Sequence, residues 1–492
     1  MNLVKGTIYT NAKKGQVSKY VYSHFMEHLG RCVYPGVWVG EDSSIPNDRG
    51  IRLDVTQALK ALELPALRWP GGCFADNYHW QDGIGPRSSR PRRFNLWWHQ
   101  PETNEFGTHE FIRFCRMIGT EPYICANVGS GTVEEARSWV EYCNSSQDTE
   151  LTRLRSENGS PEPFNVKFWG IGNENWGCGG SMEPAYYGHL YRNYATYMRK
   201  TSPDIKLIAC GSHPRVPEWD GIFLETLNRA HHLVDYIAIH IYSARGMSDL
   251  NYSDDDYYEL MGQVQIMEEH LERATALCRA YSTNAHQIGL IMDEWGTWFK
   301  EAQTETGLYQ NSTMMDAVFT ALSFHLFHEY IPYLYMTNIA QTINVLQSLI
   351  LTEGPLSCLT PTYYVYDLFK GHKDGTVLDL SYNTATLETP GGREIPEVSI
   401  SATYCEEENT IHVTAVNLHL STSTNLDLAL DLRQIASVHG RVLTSAEVRD
   451  HNTPKNPDVI KPSKLDVQQS DKSLSFALSP HSVAAISINL TD

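Results

Sequence analysis

Short apolar runs and stretches with helical periodicity alternate eight times along the first three quarters of the chain. The apolar runs cover residues 19–25, 66–71, 122–128, 166–172, 206–211, 234–241, 288–292 and 333–338. The helical stretches include residues 107–118, 132–142, 184–200, 254–280 and 311–328. This alternation predicts an α/β fold with a (β/α)8 TIM barrel, because continuous apolar strands suit a parallel sheet buried on both faces. An open Rossmann-like sheet would alternate too, but no G-x-G-x-x-G motif follows the first run.

Beyond about residue 375 the pattern changes to the two-residue alternation of half-buried strands. The alternating segments are residues 398–404, 410–418, 425–432, 441–448, 473–478 and 483–490. They predict a C-terminal all-β sandwich of the jelly-roll type. We therefore divide the chain into an N-terminal strand that joins this sandwich (1–15), the barrel (16–374) and the sandwich itself (375–492).

Composition narrows the class of protein. The net charge of −19 disfavours a polyanionic partner such as nucleic acid, and no run is long enough to span a membrane. Residues 1–15 lack the apolar segment of a secretory signal. The ten cysteines are scattered without a C-x-x-C pair, and several lie in apolar strand or helix patterns, as reduced core thiols would. These features predict a cytoplasmic protein.

Two carboxylates directly follow predicted barrel strands, where barrel enzymes place their catalytic groups. Glu174 lies in the sequence NENWG and Glu294 in DEWG. A facing pair of carboxylates is what glycoside hydrolysis needs, one protonated to donate and one ionised to attack. We expect repulsion between the two and the nearby tryptophans to raise the pKa of the acid. The alternative is that each glutamate is structural and ion-paired with an arginine.

The segment HFMEHL at residues 24–29 contains H-x-x-E-H, a zinc-peptidase pattern. That chemistry needs the two histidines on one face of a helix, whereas this segment closes a predicted strand. We therefore do not expect a metal site. Glu27 is predicted to bind substrate, with a salt bridge to Arg31 or Arg68 as the alternative.

Three further residues are candidates for the same pocket. His240 and Tyr242 lie two apart on a predicted strand, so their side chains face the same side. They could position the nucleophile and a sugar hydroxyl. Cys73 follows the second strand without a histidine and acid partner, and is predicted to line the pocket rather than to react.

The motifs together resemble glycoside hydrolase family 51, the retaining α-L-arabinofuranosidases, over nearly the whole chain. The resemblance lies in HFMEHLGRCVY (24–34), LRWPGGCFADNYHW (67–80), FGTHEF (106–111), PYICANVGSGT (122–132), WGIGNENWGCGG (169–180), MDEW (292–295) and NIAQTINVL (338–346). It implies that Glu174 is the general acid/base and Glu294 the nucleophile. It also implies that Asn173 contacts the 2-hydroxyl of the sugar and that Tyr242 hydrogen-bonds the nucleophile. The remaining residues of the implied arabinofuranose pocket are Glu27, Cys73, His240 and Gln341.

The resemblance further implies no cofactor, no metal and, in many intracellular members, a homohexamer. Ile241 and the loop 95–104 depart from the family's usual residues, which puts the linkage preference in doubt. The predicted function is the exo-acting, retaining release of terminal α-L-arabinofuranosyl groups from oligosaccharides derived from arabinan or arabinoxylan. The alternatives are a related-barrel β-glucanase or xyloglucanase, and an inactive carbohydrate-binding scaffold.

Overall fold

A computed structural model describes residues 2–491, and eight parallel strands in it close into a barrel. Each strand pairs with the next along the chain, and the eighth returns to the first through Ala340 opposite Phe25. The barrel strands, in order from first to eighth, are Ser23–Phe25, Ala66–Trp69, Glu121–Ala126, Phe168–Ile171, Lys206–Cys210, Tyr236–Ser243, Gly289–Thr297 and Leu334–Ala340. The predicted TIM barrel is thus confirmed.

Helices cover the outside of the barrel. They are Leu53–Ala61, Thr108–Ile118, Val133–Asn144, Glu150–Glu157, Pro184–Thr201, Trp219–Leu227, Asp254–Tyr281, Met314–Glu329 and Pro361–Phe369. Several begin where a hydroxyl satisfies a free backbone N–H of the first turn, as when Thr132 accepts from Glu135 and Ser253 accepts from Asp256. No helix in residues 2–491 combines the length and the apolar character needed to cross a membrane.

Short elements fill the loops. Two-stranded hairpins are formed by Asn47–Asp48 with Ile51–Arg52, Arg93–Asn95 with Gln100–Glu102, Ile350–Glu353 with Leu356–Leu359, and Thr386–Glu388 with Glu394–Pro396. Single 3-10 or π turns are Lys19–Tyr22, Val33–Val37, Ala75–Asn77, Trp80–Gly83, Arg87–Ser89, Asn228–Leu233, Thr304–Thr306 and Lys370–His372. The turn at Lys19–Tyr22 shortens the first predicted strand, because the Ser18 side chain accepts from the Tyr20 N–H and caps it.

Ten strands form one continuous sheet that confirms the all-β C-terminal domain. They are Asn2–Gln16, Thr376–Tyr382, Val398–Cys405, Thr410–Asn417, Thr424–Leu430, Ile435–Leu443, Ser463–Leu465, Gln468–Gln469, Ser473–Leu478 and Ser482–Leu490. The first of them pairs antiparallel with Thr376–Tyr382 and parallel with Thr424–Leu430. Leu474 near one edge and Leu465 at the other belong to the same buried cluster, so the sheet curls over its own core.

One predicted strand of this domain is wrong in position. The segment expected at 441–448 is observed at Ile435–Leu443. Val448 lies beyond the strand and packs into the larger core of the barrel, which Leu443 at the end of the strand already joins. Its carbonyl accepts a hydrogen bond from Tyr252 Oη at 3.0 Å, which holds this end of the segment against the barrel loops.

Three buried histidines join the barrel to the sheet, and we call His325, His328 and His372 the interface histidines. Each makes a hydrogen bond of 2.8 Å through Nδ1 to a hydroxyl on the strand Val398–Cys405, the partners being Ser399, Ser401 and Thr403 respectively. Burial lowers the pKa of all three, that of His328 to about 3. The interface is therefore built from neutral imidazoles.

Candidate active site

A cavity of about 390 Å³ opens at the C-terminal ends of the barrel strands. This size falls in the usual range for small-ligand sites. Six of the eight predicted site residues line the cavity, namely Glu27, Cys73, Glu174, Tyr242, Glu294 and Gln341. The other two, Asn173 and His240, are buried directly beside its carboxylates.

The turn after the fourth barrel strand presents Glu174 to the cavity. Glu174 itself has φ 44°, a left-handed backbone that a non-glycine residue adopts at a cost and that is concentrated at functional sites. Gly172 has φ 79°, and a Cβ there would lie 2.2 Å from Asn175 Oδ1. Only glycine therefore allows the chain to turn sharply enough at this point.

Asp76 stabilises this turn through hydrogen bonds. Its carboxylate accepts hydrogen bonds from the Asn173 N–H at 2.7 Å and from Asn175 Nδ2 at 3.1 Å. It also accepts from the backbone N–H groups of Val128 and Gly129, at 2.6 and 2.9 Å. Burial raises the pKa of Asp76 to about 6 against these bonds. One carboxylate thus ties the loops that follow the second, third and fourth strands.

Glu294 is buried and held by two donors. Arg68 Nη1 donates to its Oε1 at 2.9 Å, and Tyr242 Oη donates to its Oε2 at 2.7 Å. Burial by itself would raise the pKa of Glu294, but His240, Arg68 and the Tyr242 hydroxyl outweigh it and lower the pKa below its usual value. Glu294 is therefore ionised near neutral pH, as an attacking carboxylate must be.

His240 lies between the two carboxylates. Its Nδ1 is 3.0 Å from Glu174 Oε1 and 3.7 Å from Glu294 Oε2. Burial would lower the pKa of His240, but the charge of Glu294 and the bond to Glu174 raise it overall. One oxygen of Glu174 and one of Glu294 lie within 4.8 Å of each other.

Glu27 also lines the cavity. Its Oε1 accepts from the Phe74 N–H at 2.9 Å and from Trp98 Nε1 at 3.0 Å, while Oε2 accepts from Gln341 Nε2 at 3.2 Å. Within residues 2–491 it forms no ion pair, so the alternative of a salt bridge to an arginine does not apply. Burial and the charge of Glu294 raise the pKa of Glu27 to about 7.

Cys73 lines the cavity as a disulfide with Cys178, 105 residues further along the chain. The expectation of ten reduced thiols is therefore wrong for this pair. Cys178 Sγ lies 3.6 Å from Glu174 Oε2, so the bond ties the loop of the second strand to the turn that carries Glu174. No C-x-x-C motif marks this pair, because the two cysteines meet only when the barrel closes.

The two histidines of the H-x-x-E-H segment have separate surroundings. His24 is buried against Tyr366, with the two ring centroids 4.4 Å apart. His28 Nδ1 forms a hydrogen bond with Glu102 Oε2 at 2.7 Å. Two clusters in the described chain bring three potential ligand atoms within 4.8 Å of one another: Cys73 with Glu174 and Cys178, and Glu174 with His240 and Glu294. In the first cluster both sulfurs belong to a disulfide. In the second cluster the three side chains make the hydrogen bonds described above.

Several residues around the cavity were not predicted as site residues. Arg68 and Asp76 lie in the quoted segment 67–80, but nothing there identified their partners. Aromatic residues from four separate loops or strand ends also line the cavity, namely Trp98, Trp176, Trp298 and Tyr242, of which only the last was predicted. Trp176 belongs to the NENWG motif that was singled out in the sequence. Trp98 and Trp298 lie outside the quoted motifs, so no sequence pattern predicted them as cavity residues.

Comparisons with known proteins agree over most of the chain. The profile described as Alpha-L-arabinofuranosidase 1 domain matches residues 58–260, and that described as Alpha-L-arabinofuranosidase C-terminal domain matches residues 293–482. A curated relative, the intracellular exo-alpha-L-arabinofuranosidase of Bacteroides ovatus, is 41% identical over 93% of this chain and 90% of its own.

Solved structures give the same result. The family 51 arabinofuranosidase from Xanthomonas axonopodis pv. citri superposes with a TM-score of 0.94 at 34% identity, covering 99% of this chain and 100% of that one. The α-L-arabinofuranosidase from Thermotoga maritima, solved as an arabinose complex, gives 0.88 at 32% identity, with coverage of 99% and 100%. The chain belongs to the α-L-arabinofuranosidases of glycoside hydrolase family 51.

Proposed function

We propose that this protein removes terminal non-reducing α-L-arabinofuranosyl groups from arabino-oligosaccharides by a retaining double displacement. The observation that carries the proposal is the carboxylate pair in the barrel cavity, with oxygens of Glu174 and Glu294 within 4.8 Å. Retaining glycosidases hold their carboxyl groups ~5–5.5 Å apart, whereas inverting enzymes leave ~6.5–9.5 Å for a water molecule. The short separation supports retention.

In the first step Glu174 donates its proton to the glycosidic oxygen while Glu294 attacks the anomeric carbon. The bond between that carbon and the oxygen breaks, the leaving group departs as an alcohol, and a covalent arabinosyl ester of Glu294 forms. The roles follow from the surroundings of each carboxylate. Arg68 and Tyr242 keep Glu294 ionised, while Glu174 is partly exposed and has no arginine partner within residues 2–491.

In the second step Glu174 removes a proton from water, and the water oxygen attacks the anomeric carbon and releases Glu294. His240, bonded to Glu174 Oε1, offsets the negative charge that Glu174 carries between the two steps. Asn173 lies next to the acid/base, with its Oδ1 bound to Arg68 and its Nδ2 donating to Cys178 Sγ at 3.8 Å. We assign the remaining N–H of this amide to the sugar 2-hydroxyl.

Glu27, Gln341 and Cys73, which is tied to Cys178 by the disulfide, form part of the cavity wall. Glu27 and Gln341 bond to each other and offer further oxygen and nitrogen atoms to sugar hydroxyls. A cavity of about 390 Å³ at the end of a barrel accepts a terminal sugar residue more readily than the interior of a long chain. This supports an exo-acting enzyme.

We further propose an intracellular homo-oligomer, a hexamer by resemblance to the family. The name of the Bacteroides ovatus relative supports the intracellular location. Light scattering at several protein concentrations measures the mass in solution, and a stable monomer of 55.7 kDa would refute the oligomer.

The test of the function is a panel of 4-nitrophenyl glycosides with NMR detection of the first-formed sugar. We expect turnover of the α-L-arabinofuranoside well above the β-glucoside and β-xyloside, with the α-anomer of arabinose appearing first. Initial formation of the β-anomer would exclude retention. Preference for a β-glucoside would favour the related-barrel glucanase, and the absence of any turnover would favour the binding scaffold.

A further inference from the structure

Two arginines at the mouth of the cavity have no acidic partner within residues 2–491. Arg215 follows the fifth barrel strand and Arg245 the sixth, and both line the cavity. Both side chains are exposed, and neither makes an ion pair or a side-chain hydrogen bond with any other residue between 2 and 491. The chain carries a net charge of −19, so acidic partners are abundant elsewhere on its surface. We call Arg215 and Arg245 the arginine rim.

Arg245 is held in place by stacking. Its guanidinium carbon lies 3.6 Å from the centroid of the Trp298 ring, and Trp298 Nε1 is fixed by donating to the Ala302 carbonyl at 3.0 Å. Stacking covers the face of a guanidinium and leaves the N–H groups along its edge free to donate. Partial burial against Trp298 lowers the pKa of Arg245 and the charge of Arg215 adds to this effect, so an anion between the two would relieve their repulsion.

The arginine rim lies on the side of the cavity where the leaving group must be. The acid/base has to contact the leaving oxygen, and Trp176, two residues after Glu174, donates from Nε1 to the Gly211 carbonyl at 3.0 Å. Its ring is 5.4 Å from that of His213, which directly precedes Pro214 and Arg215. Burial lowers the pKa of His213 to about 4, so the positive charge on this side comes from the two arginines.

We propose that the arginine rim binds a carboxylate on the leaving-group sugar, so that preferred substrates carry the arabinofuranosyl group on or next to a hexuronic acid. The planar fork of a guanidinium matches the two oxygens of a carboxylate, whereas a sugar hydroxyl offers a single, uncharged acceptor. This inference rests on the proposed function, because it assigns the leaving-group side from the role of Glu174.

The test compares an α-L-arabinofuranosyl hexuronic acid disaccharide with its methyl ester, which removes the charge and keeps the linkage. The readout is the ratio of kcat/KM for the acid to that for the ester, with 4-nitrophenyl α-L-arabinofuranoside as a neutral reference. We expect a ratio of roughly five to ten at low ionic strength, because charge-assisted bonds at a partly exposed site are screened. Salt should reduce this ratio.

Three substitutions locate the effect. Arg245→Gln and Arg215→Gln should each lower the acid-to-ester ratio, and the double variant should bring it to about one. Arg245→Lys should restore part of the ratio, since it keeps the charge and loses the stacked fork. Arg433→Gln is the matched control, because Arg433 also lies over an aromatic ring, that of Tyr404 at 5.8 Å, but in the sheet domain. It should leave the ratio unchanged.

A ratio near one in the unmodified protein, or a high ratio that survives the double substitution, would overturn the inference while the neutral aryl substrate is still hydrolysed. If that aryl substrate is not hydrolysed either, the proposed function itself fails. The two failures are therefore distinguishable in the same set of assays.

Discussion

Replacing Tyr242 by phenylalanine removes one donor from Glu294 and leaves the rest of the site in place. Tyr242 Oη donates to Glu294 Oε2 at 2.7 Å, and its ring packs edge-on against Trp298 with centroids 5.1 Å apart. Phenylalanine keeps that packing. Since the hydroxyl is among the groups that lower the pKa of Glu294, its loss should raise that pKa.

The expected size follows from the strength of the bond. A hydrogen bond to a charged group contributes about 1.5–3 kcal/mol, and 1.36 kcal/mol corresponds to about one pKa unit. The pKa of Glu294 should therefore rise by about one to two units in Tyr242→Phe. Because kcat/KM requires the ionised nucleophile, the acid limb of its pH profile should move to higher pH by the same amount.

The assay is the pH dependence of kcat/KM on 4-nitrophenyl α-L-arabinofuranoside, with circular dichroism at each pH to verify folding. Tyr335→Phe is the matched control. Tyr335 stacks on Tyr236 at the opposite end of the barrel, with centroids 4.8 Å apart, so its removal should leave the acid limb in place. An unchanged acid limb in a folded Tyr242→Phe variant would refute the assignment of Glu294 as the ionised group that the limb reports.

Three other predictions test stability and the shape of the site. The pKa of His328 is lowered to about 3 in the folded chain, so the unfolded chain binds more protons between about pH 6.5 and 3, and stability should fall as pH drops through this window. Urea unfolding should show a smaller loss between pH 7 and 5 in His328→Asn than in the unmodified chain, and an equal loss would contradict the argument. Cys178→Ser opens a disulfide that spans 105 residues, which should lower the free energy of unfolding by roughly 4–5 kcal/mol and make the melting temperature insensitive to reductant. A Cβ on Gly72 would lie 2.7 Å from Glu294 Oε1, so Gly72→Ala should reduce kcat/KM by about 100-fold, whereas Gly221→Ala, with its nearest neighbour at 4.0 Å, should not; equal activity of the two would show that the nucleophile tolerates displacement.

The barrel and the main catalytic pair could be predicted from sequence because both depend on local patterns. The apolar runs are interrupted by polar residues at the point where each strand leaves the barrel. Glu174 stands at such a point after the fourth strand, while Glu294 lies inside the seventh strand, which continues to Thr297; each is close to a Trp-Gly pair. The family resemblance then supplied roles that strand position alone could not distinguish.

The contacts between distant segments could not be predicted in the same way. Cys73 and Cys178 meet only because the second and fourth strands carry their loops to the same end of the barrel. The alternative of a glutamate ion-paired with an arginine holds for Glu294, because Arg68 binds it. That ion pair helps to keep the carboxylate charged, so a structural contact and a catalytic role coexist in one residue.

The position of the strand predicted at 441–448 was wrong for a related reason. Alternation identified apolar residues correctly but did not say which of two cores would bury them. Val448 joins the core of the barrel, and the strand ends at Leu443.

The central claim, that Glu294 attacks the sugar and Glu174 serves as acid and base, is tested most directly by azide rescue of two alanine variants. Glu294→Ala with 4-nitrophenyl α-L-arabinofuranoside and azide should give the inverted β-arabinofuranosyl azide. Azide takes the place of the missing carboxylate and attacks the anomeric carbon in a single displacement. Glu174→Ala should give the retained α-azide, because azide then attacks the covalent intermediate on Glu294. If the two variants yield azides of the opposite configuration to these, or the same configuration, the assignment of roles is wrong.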